Sequence, residues 1–136
     1  MSHHQVVVLV VEDSPIIRLC AVDLMESAGF EALQASSADE AIRILEARPD
    51  IRLVFTDVEM PGSIDGLKLS HYIRDRWPPV KLIVTSGKTI VSESHLPTGT
   101  RFFPKPYNDS VIVEAMMSAL SEVNTRPLPG VDRRSG

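Results

Sequence analysis

The chain has one cysteine, Cys20, and so can form no internal disulfide. It falls inside a helical apolar pattern, which predicts a small buried core side chain in a reducing compartment. No apolar run reaches membrane-spanning length, and the opening MSHHQ carries no signal-peptide pattern, so a soluble, cytoplasmic protein is expected. Positive charge is in short supply: the formal net charge is −4 and no basic stripe is present, which removes any general attraction for nucleic acid. No glycine-rich phosphate loop follows Val11, which weighs against a nucleotide-binding α/β domain. Histidine offers no metal centre, because His3 and His4 sit at a terminus and His71 and His95 lack ligand-spaced partners. No internal repeat is visible.

What is present is enough for one compact domain: 136 residues, 43% of them hydrophobic, with charges of both signs scattered rather than massed. Val6 to Val11 form a continuous aliphatic run that stops at Glu12 and Asp13, as a buried strand delivering two acids to its carboxyl end would. Ser14 and Pro15 suit an N-cap and first helical turn, and Ile17, Ala21, Leu24 and Ala28 recur at helical spacing until Gly29. Phe30 to Ala35 reads as a second strand, and Ser37 with Glu40 makes a capping box before a helix that ends ahead of Pro49.

Ile51 to Thr56 is the third strand and ends in Asp57, followed by a loop to Asp65. Leu69, Ile73 and Trp77 share one face of a third helix that Pro78 and Pro79 terminate. Val80 to Val84 then deliver Thr85, Ser86 and Gly87 to the same edge as Asp57. Lys88 to Thr100 is irregular and contains Pro97 and Gly99, with room for a turn or two over Ile90 to His95. Arg101 to Pro104 is a fifth short strand that presents Lys105, and Val111, Ile112, Ala115, Met116, Ala119 and Val123 mark the clearest amphipathic helix. Residues 1–124 are expected to form the domain and 125–136, rich in Pro, Gly and Arg, a disordered tail.

Strands alternating with helices at short spacing predict a doubly wound five-stranded parallel sheet with helices on both faces. All strand carboxyl ends then point one way, and Glu12, Asp13, Asp57, Thr85 and Lys105 converge on one edge. Crowded carboxylates resist ionisation unless a cation sits among them, and hard oxygen ligands without His or Cys suit Mg²⁺. A lysine and a hydroxyl opposite them suit a phosphoryl group on a carboxylate, and Asp57 is the central candidate nucleophile.

VVEDS at Val10–Ser14, TDVEMPG at Thr56–Gly62, VTSG at Val84–Gly87 and FPKPY at Phe103–Tyr107 together resemble the receiver domain of two-component response regulators, over roughly residues 5 to 124. The resemblance implies a flavodoxin-like sheet in the order 2-1-3-4-5. It further implies that Asp57 accepts a phosphoryl group from a histidine kinase or histidine phosphotransfer protein. Glu12 and Asp13 match its Mg²⁺-binding acidic pair, with Asp57 and the backbone carbonyl of Glu59 as further ligands. Thr85 matches its switch hydroxyl, Lys105 its paired lysine, Pro106 its proline, usually cis, and Phe102 its rotameric aromatic. Three features depart from the pattern: the GSIDG loop is one residue longer, Phe102 lacks the commoner tyrosine hydroxyl, and the segment matching the fourth helix is short and contains Pro97. Glu59 and Gly87 occupy positions that tune dephosphorylation in such proteins.

Each motif also has a plainer reading. Glu12 and Asp13 could be acids at a helix N-terminus, Lys105 a surface lysine, Thr85 and Ser86 caps, Phe102 and Trp77 core, and Arg126, Arg133 and Arg134 solvated tail charges. The ordered set favours a stand-alone receiver that docks on an unidentified output protein or passes phosphate along a relay, without nucleic acid or membrane. The alternatives are the receiver portion of a hybrid histidine kinase and an aspartate-nucleophile phosphatase. For the latter, Glu59 lies two residues after Asp57, but no cap domain is present.

Overall fold

The computed structural model describes residues 5–60, 62, 64–88 and 91–121. Five parallel strands, β1 (Val7–Val11), β2 (Glu31–Ala35), β3 (Ile51–Asp57), β4 (Lys81–Ser86) and β5 (Arg101–Pro104), form one sheet in the order β2-β1-β3-β4-β5. Apolar runs explain the arrangement: β1 is buried on both faces along its whole length, and Leu53–Phe55 of β3 and Leu82–Val84 of β4 are buried likewise. The helices are α1 (Pro15–Ser27), α2 (Ala38–Ala47), α3 (Gly66–Arg76) and α4 (Asp109–Ser121).

They cover both faces. Ala38, Ala41 and Leu45 of α2 with Leu69 and Ile73 of α3 pack on Leu9, Val54 and Leu82, while Ala21, Val22 and Met25 of α1 with Ile112 and Met116 of α4 pack on Val8, Val10 and Ile83. Each of the fully buried Leu, Ile, Val and Met side chains among them contributes about 1.5–3 kcal/mol. The reversal of strand order falls between β1 and β3, so the crevice outside their carboxyl ends is where a ligand belongs in such a fold.

The local signals act largely as expected. Ser14 Oγ accepts from Ile17 N, and Gly29, at φ +100°, closes α1 with Gly29 N donating to Glu26 O and Phe30 N to Met25 O, the paired bonds of a Schellman turn. Ser37 Oγ accepts from Glu40 N, but the Glu40 carboxylate returns to the amide and hydroxyl of Ser36, not to Ser37.

Several expectations need correction. Cys20 is exposed, not buried: α1 turns Ala21, Val22 and Met25 inward, and Cys20 lies on its outer side with Ile16, Ile17 and Leu19, which are also exposed. Ile17, expected on the core face, is therefore 41% exposed. β3 runs on through Asp57 and β4 through Ser86, so Thr85 and Ser86 belong to the strand and not to the loop beyond it. Among the described residues between Ser86 and Arg101 the only helical segment is a single 3-10 turn, Glu93–His95. Ile90, Val123 and the tail lie outside the described residues.

Candidate functional site

β1, β3, β4 and β5 end at neighbouring positions, and the side chains at or just past those ends meet. Asp57 pairs in register with Thr85, and the Val58 amide donates to the Thr85 carbonyl at 2.8 Å. Carboxylate oxygens of Glu12, Asp13 and Asp57 lie within 4.8 Å of one another; Glu12 and Asp57 are buried and Asp13 is exposed. Lys105 Nζ sits 3.3 Å from both Glu12 Oε1 and Asp57 Oδ1, so one ammonium bridges two of the three acids. Its backbone is held by Lys105 N donating to Ser86 O at 2.8 Å, and the Lys105–Pro106 bond is cis.

The charges do not balance locally. Burial, then the repulsion of Glu12, pushes the Asp57 carboxyl up to about 6 despite the attraction of Lys105. Burial works against the Lys105 charge, but the Asp57 and Glu12 carboxylates outweigh it and hold its pKa above the ordinary lysine value. Asp57 Oδ1 is buried and, although Lys105 is within ion-pair range, has no hydrogen bond among the described residues. A buried acceptor with unmet demand beside two further carboxylates fits a hard divalent cation: the donor set is all oxygen and includes an exposed acid open to solvent.

Two features escape sequence reasoning. The first is Gly66, the opening residue of α3. A Cβ there would lie 2.0 Å from the Asp57 carbonyl oxygen and 2.8 Å from Val58 Cα, so α3 can abut the end of β3 only through a glycine. Its amide donates to Val58 O at 3.0 Å, which fastens the helix to the strand that carries Asp57. The second is the tie that the Glu59 side chain makes to β4: the sequence places Glu59 beside the site, as a carbonyl ligand and at a position that tunes dephosphorylation, but does not say what its carboxylate reaches. The Glu59 carboxylate accepts from the buried Ser86 hydroxyl and, at 3.1 Å, from Gly87 N. It therefore ties the loop after β3 to the end of β4. Ser86, which its sequence position marks as no more than a cap, is one of the two anchors.

Thr85 is buried where expected, against Asp57. Phe102 and Phe103 diverge across the sheet: Phe102 is half-buried against Val58, Val84, Val91 and Leu96, and Phe103 packs on the core shared by α1 and α4. Trp77 packs on the opposite core cluster with the Arg76 guanidinium 5.1 Å from its ring centre, as a packing residue would.

Three acids and a lysine at the switch point of a five-stranded parallel sheet with helices on both faces place the chain in the class of doubly wound α/β domains with a charged crevice at that point. The family model for the response regulator receiver domain matches residues 8–117, and the chain belongs to that family. It is 33% identical over 105 residues to the sensor kinase CckA of Brucella abortus, covering 74% of this chain and 11% of that protein. It is 30% identical over 123 residues to the nitrogen assimilation regulatory protein NtrX of Azorhizobium caulinodans, covering 88% of this chain and 27% of that protein. Among solved structures, a response regulator receiver protein from Pseudomonas putida superposes with a TM-score of 0.76 at 30% identity, covering 86% of this chain and 99% of the other. The chain thus spans a small part of these curated relatives and nearly all of that solved receiver-protein chain. Among the described residues no helix is long and apolar enough to cross a membrane.

Proposed function

We propose that Asp57 is the phosphoacceptor of a two-component or phosphorelay pathway and that the chain is a cytoplasmic signalling switch, not a turnover enzyme. The observation that carries this is the buried Asp57 carboxylate, raised in pKa and bridged by Lys105, at the one edge where three acids meet. Glu12, Asp13, Asp57 and the backbone carbonyl of Glu59 would hold Mg²⁺, which when bound neutralises charge on the transferring phosphoryl oxygens. An Asp57 oxygen attacks phosphorus, the bond from phosphorus to the donor imidazole nitrogen breaks, and that nitrogen keeps the electron pair. Lys105 then has a phosphoryl oxygen to pair with in place of the carboxylate, and the Thr85 hydroxyl, in register beside Asp57, becomes its second donor. Phe102 follows Thr85, because its half-buried ring shares a pocket with Val84, the residue before Thr85.

The donor is a histidine kinase or histidine phosphotransfer protein, and the output is docking on a partner protein or onward relay. Likeness to a segment of a sensor kinase and to NtrX supports either setting. A phosphatase reading would need Glu59 as a proton-transferring acid, but its carboxylate is already engaged as an acceptor by Ser86 and Gly87.

Incubation with acetyl phosphate and intact-mass measurement test the proposal. One phosphoryl adduct is expected, absent without Mg²⁺ and absent in Asp57→Asn; an adduct that survives this substitution would refute it. The raised pKa gives a second readout. Folding lifts Asp57 from 3.8 to about 6, so its ionisation opposes the metal-free fold. That penalty is absent below about pH 4, grows as pH climbs to about 6 and is constant above it. In EDTA at pH 7 Asp57→Asn should therefore be more stable than the natural chain by on the order of 1–3 kcal/mol, with the difference vanishing near pH 4.

A further inference from the structure

Arg18, one turn into α1, has no part in the phosphoryl chemistry above, yet its guanidinium reaches back to the site. Side chains on a helix lean toward its N-terminus, and from Arg18 that direction leads over Ser14 to the turn that carries the acids. Arg18 Nη1 donates to the backbone carbonyl of Glu12 at 2.8 Å, and Arg18 Nε donates to Gln34 Oε1 on β2 at 3.0 Å. One planar group thus spans from the edge strand to the Glu12–Asp13 peptide.

We propose that Arg18 is a positioning residue for divalent-cation binding: braced on Gln34, it fixes the Glu12 carbonyl and so the direction in which the Glu12–Asp13 turn presents its carboxylates. The inference rests on the reading of Glu12, Asp13 and Asp57 as the cation site. The other restraints on this turn show why the contact matters. Glu12 N donates to Ala35 O at 3.0 Å, which fixes the strand but not the peptide that follows. Ser14 N donates to Glu12 Oε2 at 3.1 Å, and Lys105 holds Glu12 Oε1. Both of those bonds use the carboxylate oxygens that a cation would claim. The Arg18 bond goes to the backbone instead, so it persists when the carboxylate changes partners. Asp13 is the exposed member of the trio, and its direction follows from the peptide before it.

The charge of Arg18 and its geometry predict opposite outcomes, which makes the inference testable. A cation near the site repels Mg²⁺, so loss of charge alone would tighten binding. Loss of a positioning contact loosens it, typically by about tenfold or more for a group that orients a metal ligand. Calorimetric titration of the natural chain with Mg²⁺, beside Arg18→Ala, Arg18→Lys and Gln34→Ala, separates the two, with thermal melting to verify folding. Arg18→Ala should bind Mg²⁺ about tenfold more weakly, and Arg18→Lys nearly as weakly, since an ammonium cannot span both acceptors. Gln34→Ala, on an exposed position of an edge strand, should weaken binding by a smaller factor and serves if Arg18→Ala does not fold. Acetyl phosphate labelling of Arg18→Ala should recover at saturating Mg²⁺. Unchanged or tighter binding in Arg18→Ala, or full affinity in Arg18→Lys, would overturn the inference. Failure of the natural chain to bind Mg²⁺ would instead sink the site reading beneath it.

Discussion

The loops that leave β3 and β4 flank the same carboxylate but are held by different means. After β3 the chain closes directly onto a helix: Gly66 presses its backbone against the Asp57 carbonyl, and the Gly66 amide bonds Val58 O. Between β4 and β5 no regular helix lies among the described residues. The 3-10 turn Glu93–His95 is held instead by side chains: His71 Nε2 on α3 donates to the His95 carbonyl at 2.8 Å, and Val91 and Leu96 sit against Val58 and Val84. The carbonyl can only accept, so this bond fixes the His71 proton on Nε2. Glu59 joins the two loops through Ser86 and Gly87. The loop after β3 is therefore closed by backbone contact, whereas the segment that leaves β4 is held beyond the strand by side-chain bonds and apolar packing. A firmly held acceptor beside a segment that opens more easily is what a phosphorylation-driven switch requires, and the contrast predicts that the segment after β4 is the softer of the two.

The harshest way to break this contrast is Gly66→Ala. A methyl 2.0 Å from a carbonyl oxygen cannot be accommodated by rotamer change, because both partners are backbone. α3 must withdraw from β3, at a cost of about 3 kcal/mol or more, and the Asp57 end of the strand moves with it. Urea denaturation should show that loss, and Mg²⁺ affinity should fall in whatever remains folded. Gly29→Ala is the control: its Cβ would meet nothing within 4 Å, so only the strain of φ +100° is incurred. Equal costs at the two glycines would remove the basis for calling the β3 side rigid.

Glu59→Ala probes the link between the loops. It deletes a carboxylate that accepts from one hydroxyl and one amide, and the net loss for such bonds at a half-exposed site is about 1 kcal/mol. Hydrogen exchange at Gly87 should accelerate by roughly fivefold for that energy, while α3 amides stay protected. Glu59 also adds to the repulsion that raises the Asp57 pKa, so the same variant should lower it. An unchanged Gly87 amide would mean that the β4 end holds its place without Glu59.

How much of this could be read in the sequence follows from the range of each interaction. The five strands and the convergence of Glu12, Asp13, Asp57, Thr85 and Lys105 were legible because continuous aliphatic runs and turn residues report their own burial and direction. Cys20 was misread because periodicity locates an apolar stripe without saying how wide it is, and α1 carries apolar residues on its outer side as well. Gly66 and the tie from Glu59 to Ser86 were missed for a different reason. Which backbone a glycine meets, and which hydroxyl a carboxylate reaches across a sheet, depends on partners remote in sequence: 27 positions separate Glu59 from Ser86. No local pattern encodes that approach.

The smallest expected effect lies at the far end of the β4 loop. His71→Ala removes one exposed hydrogen bond between α3 and the 3-10 turn, worth about 0.5–1 kcal/mol. Because Val91 and Leu96 remain buried against Val58 and Val84, the turn should loosen without leaving the sheet. Global melting should shift only slightly. The His95 amide, which donates to Ser92 O within the turn, should exchange several-fold faster, because local opening no longer breaks the His71 bond. If the substitution instead lowered global stability as much as Gly66→Ala, the segment after β4 would be cooperative with the core, and the two sides of the site would be equally rigid. A local effect alone would place the softer element beside Thr85, where the proposed phosphorylation at Asp57 has the shortest path to it.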